Sequence, residues 1–86
     1  MQVFFSGNYT VSSDTFGINF EAIVDGSSVV CMVSVEALQD IDPNNALGTV
    51  QEQFTSNRSE FQRIAEKKIR DGQPAPITIT SADVRG

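Results

Sequence analysis

Apolar and polar residues alternate most regularly between Gly17 and Val35. Ile18, Phe20, Ala22 and Val24 are interleaved with Asn19, Glu21 and Ile23. A period of two is the mark of a strand with one buried face. Asp25-Gly26 follows, a pair suited to a two-residue turn with positive φ. Beyond it Val29, Cys31, Val33 and Val35 alternate with Val30, Met32 and Ser34. A turn at Asp25-Gly26 sets Ala22 opposite Val29, Phe20 opposite Cys31 and Ile18 opposite Val33. Both apolar sets then share one face, as a hairpin requires. The other face pairs Glu21 with Val30 and Asn19 with Met32, a mixed surface.

Gln2 to Phe5 reads as a short edge strand ended by a turn at Gly7-Asn8. Tyr9 to Asp14 fits either a strand extension or a loop. Ser34 is suited to cap a helix, with Glu36 in its first turn, and that helix ends near Asp40 or Ile41. Asp42-Pro43 has the form of a helix N-cap followed by proline at the first helical position. Leu47, Val50, Phe54, Phe61 and Ile64 then recur at steps of three and four or their multiples. The pattern allows one helix over Pro43–Arg70, ~42 Å long at about 1.5 Å per residue, which is long for so small a domain and leaves its continuity open. Gly48 and Thr55-Ser56-Asn57 are the places where it would break or bend. Gly72 suits the end of that helix, and Pro74 and Pro76 prevent its continuation. Ile77 to Thr80 alternates as a last strand, and Ser81 to Gly86 reads as a polar tail.

The order is strand, strand, strand, helix, helix, strand. The fold class expected is α+β: an antiparallel sheet of about four strands with one long C-terminal helix packed across one face. The length of 86 residues suits a single domain over 1–86. The start, Met1-Gln2-Val3-Phe4-Phe5, has no basic flank and no long apolar run, so no secretion signal is expected. A lone cysteine, Cys31, suits a reducing cytosol, and no membrane association is expected.

The net charge of -5 opposes contact with nucleic acid or an anionic membrane. The charge is uneven: the segment before Arg58 holds seven acids and no Lys or Arg. Arg63, Lys67 and Arg70 fall on one side of the long helix, a stripe that a polyanion or an acidic protein would recognise. Glu60, Glu66 and Asp71 interrupt it, and no aromatic residue is interleaved to stack bases.

Three segments carry a family resemblance. They are INFEAIVDGSSVVCMVSVEALQD at 18–40, FTSNRSEFQRIAEKKI at 54–69 and ITITSAD at 77–83. They resemble the small bacterial family called domain of unknown function fourteen eighty-eight. Its pattern is a V-D-G hairpin turn, a cysteine-bearing strand, a Ser-x-Glu-Ala-Leu helix start, an F-x-x-N-R helix and a last strand ending near an Asp. The resemblance implies the same α+β fold and no settled activity.

Little in the sequence points to catalysis. Histidine is absent, which removes the commonest general base and metal ligand. Cys31 faces the core beside Phe20 in the hairpin register and reads as an inert apolar filler. Asp40 and Asp42 read as a helix end and a helix cap rather than a calcium loop. No enzyme activity, cofactor or metal is expected.

Asn57 and Arg58 stand out. Asn57 falls near the apolar stripe, where its amide either fixes helix docking or faces a groove. Arg58 reads as a surface salt bridge or as a contact to a partner's carboxylate or phosphate. Three functions follow. The leading one is a non-enzymatic protein-interaction module, possible as a homo-oligomer, using Ile23, Val30 and Met32. The next is a nucleic-acid-associated regulator using Arg63, Lys67 and Arg70. The last is a small-ligand binder near Asn57 and Arg58.

Overall fold

The alternating segment forms the hairpin its pattern dictates. In the computed structural model, which describes residues 1–12, 16–45 and 47–85, strand β2 is Phe16–Val24 and strand β3 is Ser27–Ser34. Phe20 lies opposite Cys31, Ala22 opposite Val29 and Ile18 opposite Val33. Asp25 (φ 49) and Gly26 (φ 86) both take positive φ, the backbone a two-residue turn needs to match strand twist.

The N-terminal strand β1 is one continuous element, Val3–Val11. Gly7-Asn8 therefore ends no strand. Val3, Phe4 and Phe5 pair with Val24, Ile23 and Ala22; Tyr9, Thr10 and Val11 pair with Phe20, Asn19 and Ile18. Ser6, Gly7 and Asn8 bulge out opposite Glu21, and Gly7 takes the positive φ of 88 that its missing Cβ allows. Tyr9 to Val11 extends the strand; Asp14, at the end of that stretch, lies outside the described residues.

Ser34 caps helix α1, Val35–Ile41, its hydroxyl accepting from Ala37 N–H at 3.0 Å. The long helix over Pro43–Arg70 does not form. Pro43–Asn45 makes a 3-10 turn, α2 covers Val50–Ser56 and α3 covers Arg58–Arg70. Thr49 starts α2 afresh, its hydroxyl accepting from Glu52 N–H at 3.1 Å. Leu47, expected in the apolar stripe, is fully exposed on the connection between them.

Helix α3, about 20 Å long at 1.5 Å per residue, carries the chain back along the sheet. Its first residue, Arg58, stands over Tyr9, while Arg70 near its end donates to Met1 O at 3.2 Å. The last strand, β4 (Ile77–Ile79), therefore enters parallel to β3, with Cys31 beside Ile77 and Val33 beside Ile79. The sheet is mixed, ordered β1-β2-β3-β4, and not wholly antiparallel. The segment expected as a tail forms a further helix, α4 (Ser81–Arg85), held to α1 by Arg85–Asp40 at 3.1 Å. The longest helix thus lies in the middle of the chain order, not at its C-terminus.

The four helices share one side of the sheet. Ile18, Phe20, Ala22, Cys31, Val33, Ile77 and Ile79 meet Leu38, Phe54, Phe61, Ile64, Ala65 and Ile69 there, all buried. Phe54 is the hub, with ring centroids 5.4 Å from Phe20, 5.1 Å from Tyr9 and 5.9 Å from Phe61. Full burial of each large side chain contributes about 1.5–3 kcal/mol. Gly17 sits where α1 crosses β2; a Cβ there would meet Leu38 Cδ1 at 3.1 Å and Val35 Cγ2 at 3.2 Å.

Candidate functional site

The same alternation that fills the core leaves the other face of the sheet, among the described residues, with no helix on it. Phe4, Thr10, Asn19, Glu21, Ile23, Ser28, Val30 and Met32 point there by strand parity. Phe4 is 55% exposed and Val30 48% exposed. A shallow hollow of about 220 Å³ lies on this side, lined in part by Asn8, Thr10, Asn19, Glu21, Ser28 and Val30. Asn19 Oδ1 is buried in the sheet without a hydrogen-bond partner.

Glu21 is the charged residue at the centre of this face. Ser28 Oγ donates to its Oε2 at 2.6 Å. That hydroxyl, then that of Ser6, hold its carboxyl below the usual carboxylate range; burial opposes them, and the amide of Asn8 adds the least lowering. The bulge supplies Ser6 and Asn8, and Asn8 N–H also donates to Ser6 Oγ at 3.2 Å. This cluster was missed from sequence. Its one signal was Gly7-Asn8, which reads equally as a turn.

The residues singled out from sequence lie on the opposite side. Asn57 is the corner between α2 and α3, and its Nδ2 donates to Gln53 O at 3.0 Å. Its backbone carbonyl accepts from Glu60 and Phe61 N–H, so the side chain ties off one helix while the backbone starts the next. Among the described residues Arg58 has no carboxylate salt bridge. Its guanidinium lies 5.3 Å from the Tyr9 ring centroid and 5.5 Å from that of Phe54, a cation–π arrangement. The dent beside it, bounded by Gly7, Phe54 and Gln62, has no volume that a water-sized sphere would occupy.

Arg63, Lys67 and Arg70 do share an outer side of α3, and each holds a carboxylate. Arg63 pairs with Glu60, Lys67 with Asp71 at 3.1 Å and Arg70 with Glu66 at 2.8 Å. A cleft of about 370 Å³ runs between α3 and α4, and its floor is crossed by Lys68–Asp83 at 2.9 Å. Asp83 also accepts from Thr80 N–H at 2.9 Å. Burial raises its carboxyl, but the Thr80 N–H and the Lys68 ammonium outweigh that and leave it below the ordinary value.

Cys31 is fully buried, and burial pushes its thiol up to about 11, against a smaller lowering by a hydrogen bond to Ala22 backbone. The thiolate that a nucleophile or metal ligand needs is therefore scarce at neutral pH. Among the described residues no cluster of three or more Cys, Asp or Glu is placed to hold a metal ion. Among them, too, no helix is long and apolar enough to cross a membrane.

No curated protein and no solved structure matches this chain. A family model does. It is described as a protein of unknown function (DUF1488), it spans residues 3–79 from β1 through β4, and the chain belongs to that family.

Proposed function

We propose that the protein is a non-enzymatic interaction module that associates with itself through the sheet that its helices cover on one side only. The carrying observation is the contrast between a sealed helix side and an open side where Phe4 and Val30 stay about half exposed. Apolar side chains on an otherwise acidic surface gain by being covered. The buried, protonated thiol of Cys31 fits a protein that works without a nucleophile, and a reducing, cytosolic setting.

The polyanion reading has less support. Each cation of the Arg63, Lys67, Arg70 stripe already faces a carboxylate on its own helix, so a phosphate would have to displace it. The small-ligand reading loses its room beside Arg58, where rings fill the space.

Sedimentation equilibrium over rising concentration tests the proposal. The weight-average mass should climb above 9.3 kDa toward a multiple of it. A mass fixed at the monomer value throughout would remove self-association from the account.

A further inference from the structure

The open rim of the sheet has a symmetry that its neighbours lack. β1 ends the sheet, so among the described residues one of its edges has no strand beside it. In an antiparallel ladder, alternate residues bond the partner strand and the residues between them point their N–H and C=O the other way. Asp25 N–H donates to Gln2 O at 2.9 Å, and Ser12 N–H donates to Gly17 O at 2.8 Å. Counting inward from these two bonded pairs, Phe4 and Thr10 bond β2. Val3, Phe5, Tyr9 and Val11 aim their backbone groups outward.

The outward residues form two equal arms, Val3/Phe5 and Tyr9/Val11, separated by the Ser6–Asn8 bulge. Gly7 is the midpoint. The bulge lies opposite Glu21, whose side chain is on the open face, and Ser6 and Asn8 help to lower its carboxyl. A straight foreign strand would pair with one arm and lose register at the bulge. Another copy of β1, laid antiparallel, carries the same interruption at the same place.

We infer that two copies of this chain pair edge to edge along β1, about a dyad at Gly7, to form one continuous eight-stranded sheet. This rests on the self-association reading and names its interface. Val3 then exchanges bonds with Val11 of the other copy, and Phe5 with Tyr9 of the other copy. All four side chains lie on the helix side, so the pairs are β-branched on β-branched and aromatic on aromatic, the combinations that stabilise neighbouring strands. The contact is isologous, as a closed dimer requires. Charge permits it: Met1 to Ser13 contains no Lys, Arg, Asp or Glu, although the chain carries -5 overall. Natural sheets protect such an edge with charge, proline or a bulge; β1 has only the bulge, which a second copy of β1 matches at the same place. Tyr9 is held rigidly for the purpose, its hydroxyl accepting from Gln51 Nε2 at 2.9 Å and its ring under Arg58.

The test is sedimentation equilibrium of the whole protein beside Val11→Pro, Val11→Lys and Val30→Asp. Val11→Pro removes an N–H that β1 does not use toward β2. It should weaken dimerisation about tenfold or more, because the dyad removes two bonds at once. Val11→Lys keeps the backbone and should act the same way, which guards against a proline variant that fails to fold. Val30→Asp should leave the dimer intact. Amide exchange adds a readout with a parity signature. Protection at Val3, Phe5, Tyr9 and Val11 should rise with concentration, while Phe4 and Thr10 are protected throughout. A dimer that survives both Val11 variants but falls to Val30→Asp overturns the edge pairing and keeps the self-association reading. A wild type that stays monomeric overturns both.

Discussion

Phe20 with Cys31 and Glu21 with Val30 are adjacent rungs of one hairpin, yet they meet opposite environments. The Phe20–Cys31 rung is buried beneath α2 and α3. The Glu21–Val30 rung belongs to a surface that no helix reaches. Both belong to the same two paired strands, so the difference in burial comes from what lies above each face. Stability is therefore concentrated on one side of the sheet. The other side is left free to meet something else at small cost to the fold.

The sharpest way to break that contrast is to truncate one side chain on each face. Phe54→Ala empties the point where Tyr9, Phe20 and Phe61 converge and should cost about 3–5 kcal/mol. At roughly 0.05–0.15 kcal/mol per residue, a domain of this length has about 4–13 kcal/mol to lose. Val30→Ser, on the open face, should stay within about 0.5 kcal/mol. Urea unfolding of dilute protein measures both. Equal shifts in midpoint would mean that the open face carries as much of the fold as the sealed one.

Acid separates the faces next, because each holds a carboxylate of lowered pKa. Asp83 lies on the helix side, tied to Thr80 and Lys68 with only about a quarter of its side chain exposed. Its folded-state pKa is below its unfolded value. The stability it contributes is present above the unfolded value and lost as pH falls through the folded one. Asp83→Asn should cost about 1–2 kcal/mol at neutral pH, from the cap and the ion pair together. It should also remove part of the decline in stability below about pH 4. Stability measured against pH by chemical unfolding checks both, and an unchanged acid limb would assign the ion pair no role.

How much of this was legible depends on how local each cause is. The β2–β3 register followed from period-two alternation and the backbone needs of Asp25-Gly26, all within one short stretch. The cap at Ser34 was equally local. Apolar spacing keeps phase across a break, so it allowed one helix over Pro43–Arg70, while Gly48 and Thr55-Ser56-Asn57 marked the two places where the chain does break. The Thr49…Glu52 capping pair that restarts α2 was present in the sequence, but Leu47 on the same phase masked it. Thr80…Asp83 likewise marked the start of α4 in what looked like a tail. The parallel entry of β4 was not legible, because it follows from where α3 delivers the chain. Asn57 and Arg58 stood out in the sequence, and in the fold they form a packed corner and a cation over two rings. The family resemblance read from the segments matched the family to which the chain belongs.

The smallest expected effect sharpens the comparison most finely. Glu21 matches Asp83 in the direction of its shift but lies on the open face, so its hydrogen bonds compete with solvent and contribute no stability worth assigning. Ser28→Ala removes the largest of the lowering contacts, the 2.6 Å bond to Oε2. The Glu21 carboxyl should then titrate higher, nearer its ordinary value, with Ser6 and Asn8 still holding it partly down. Carboxyl-carbon NMR across the acid range reads that shift, and the urea midpoint at neutral pH should not move. The two measurements have to be taken together. A pKa that rises while stability holds means the bulge cluster shapes the charge of an exposed surface without supporting the fold. A stability loss alongside it would make the cluster a clamp between β1 and β3, and the open face would then share in holding the sheet together.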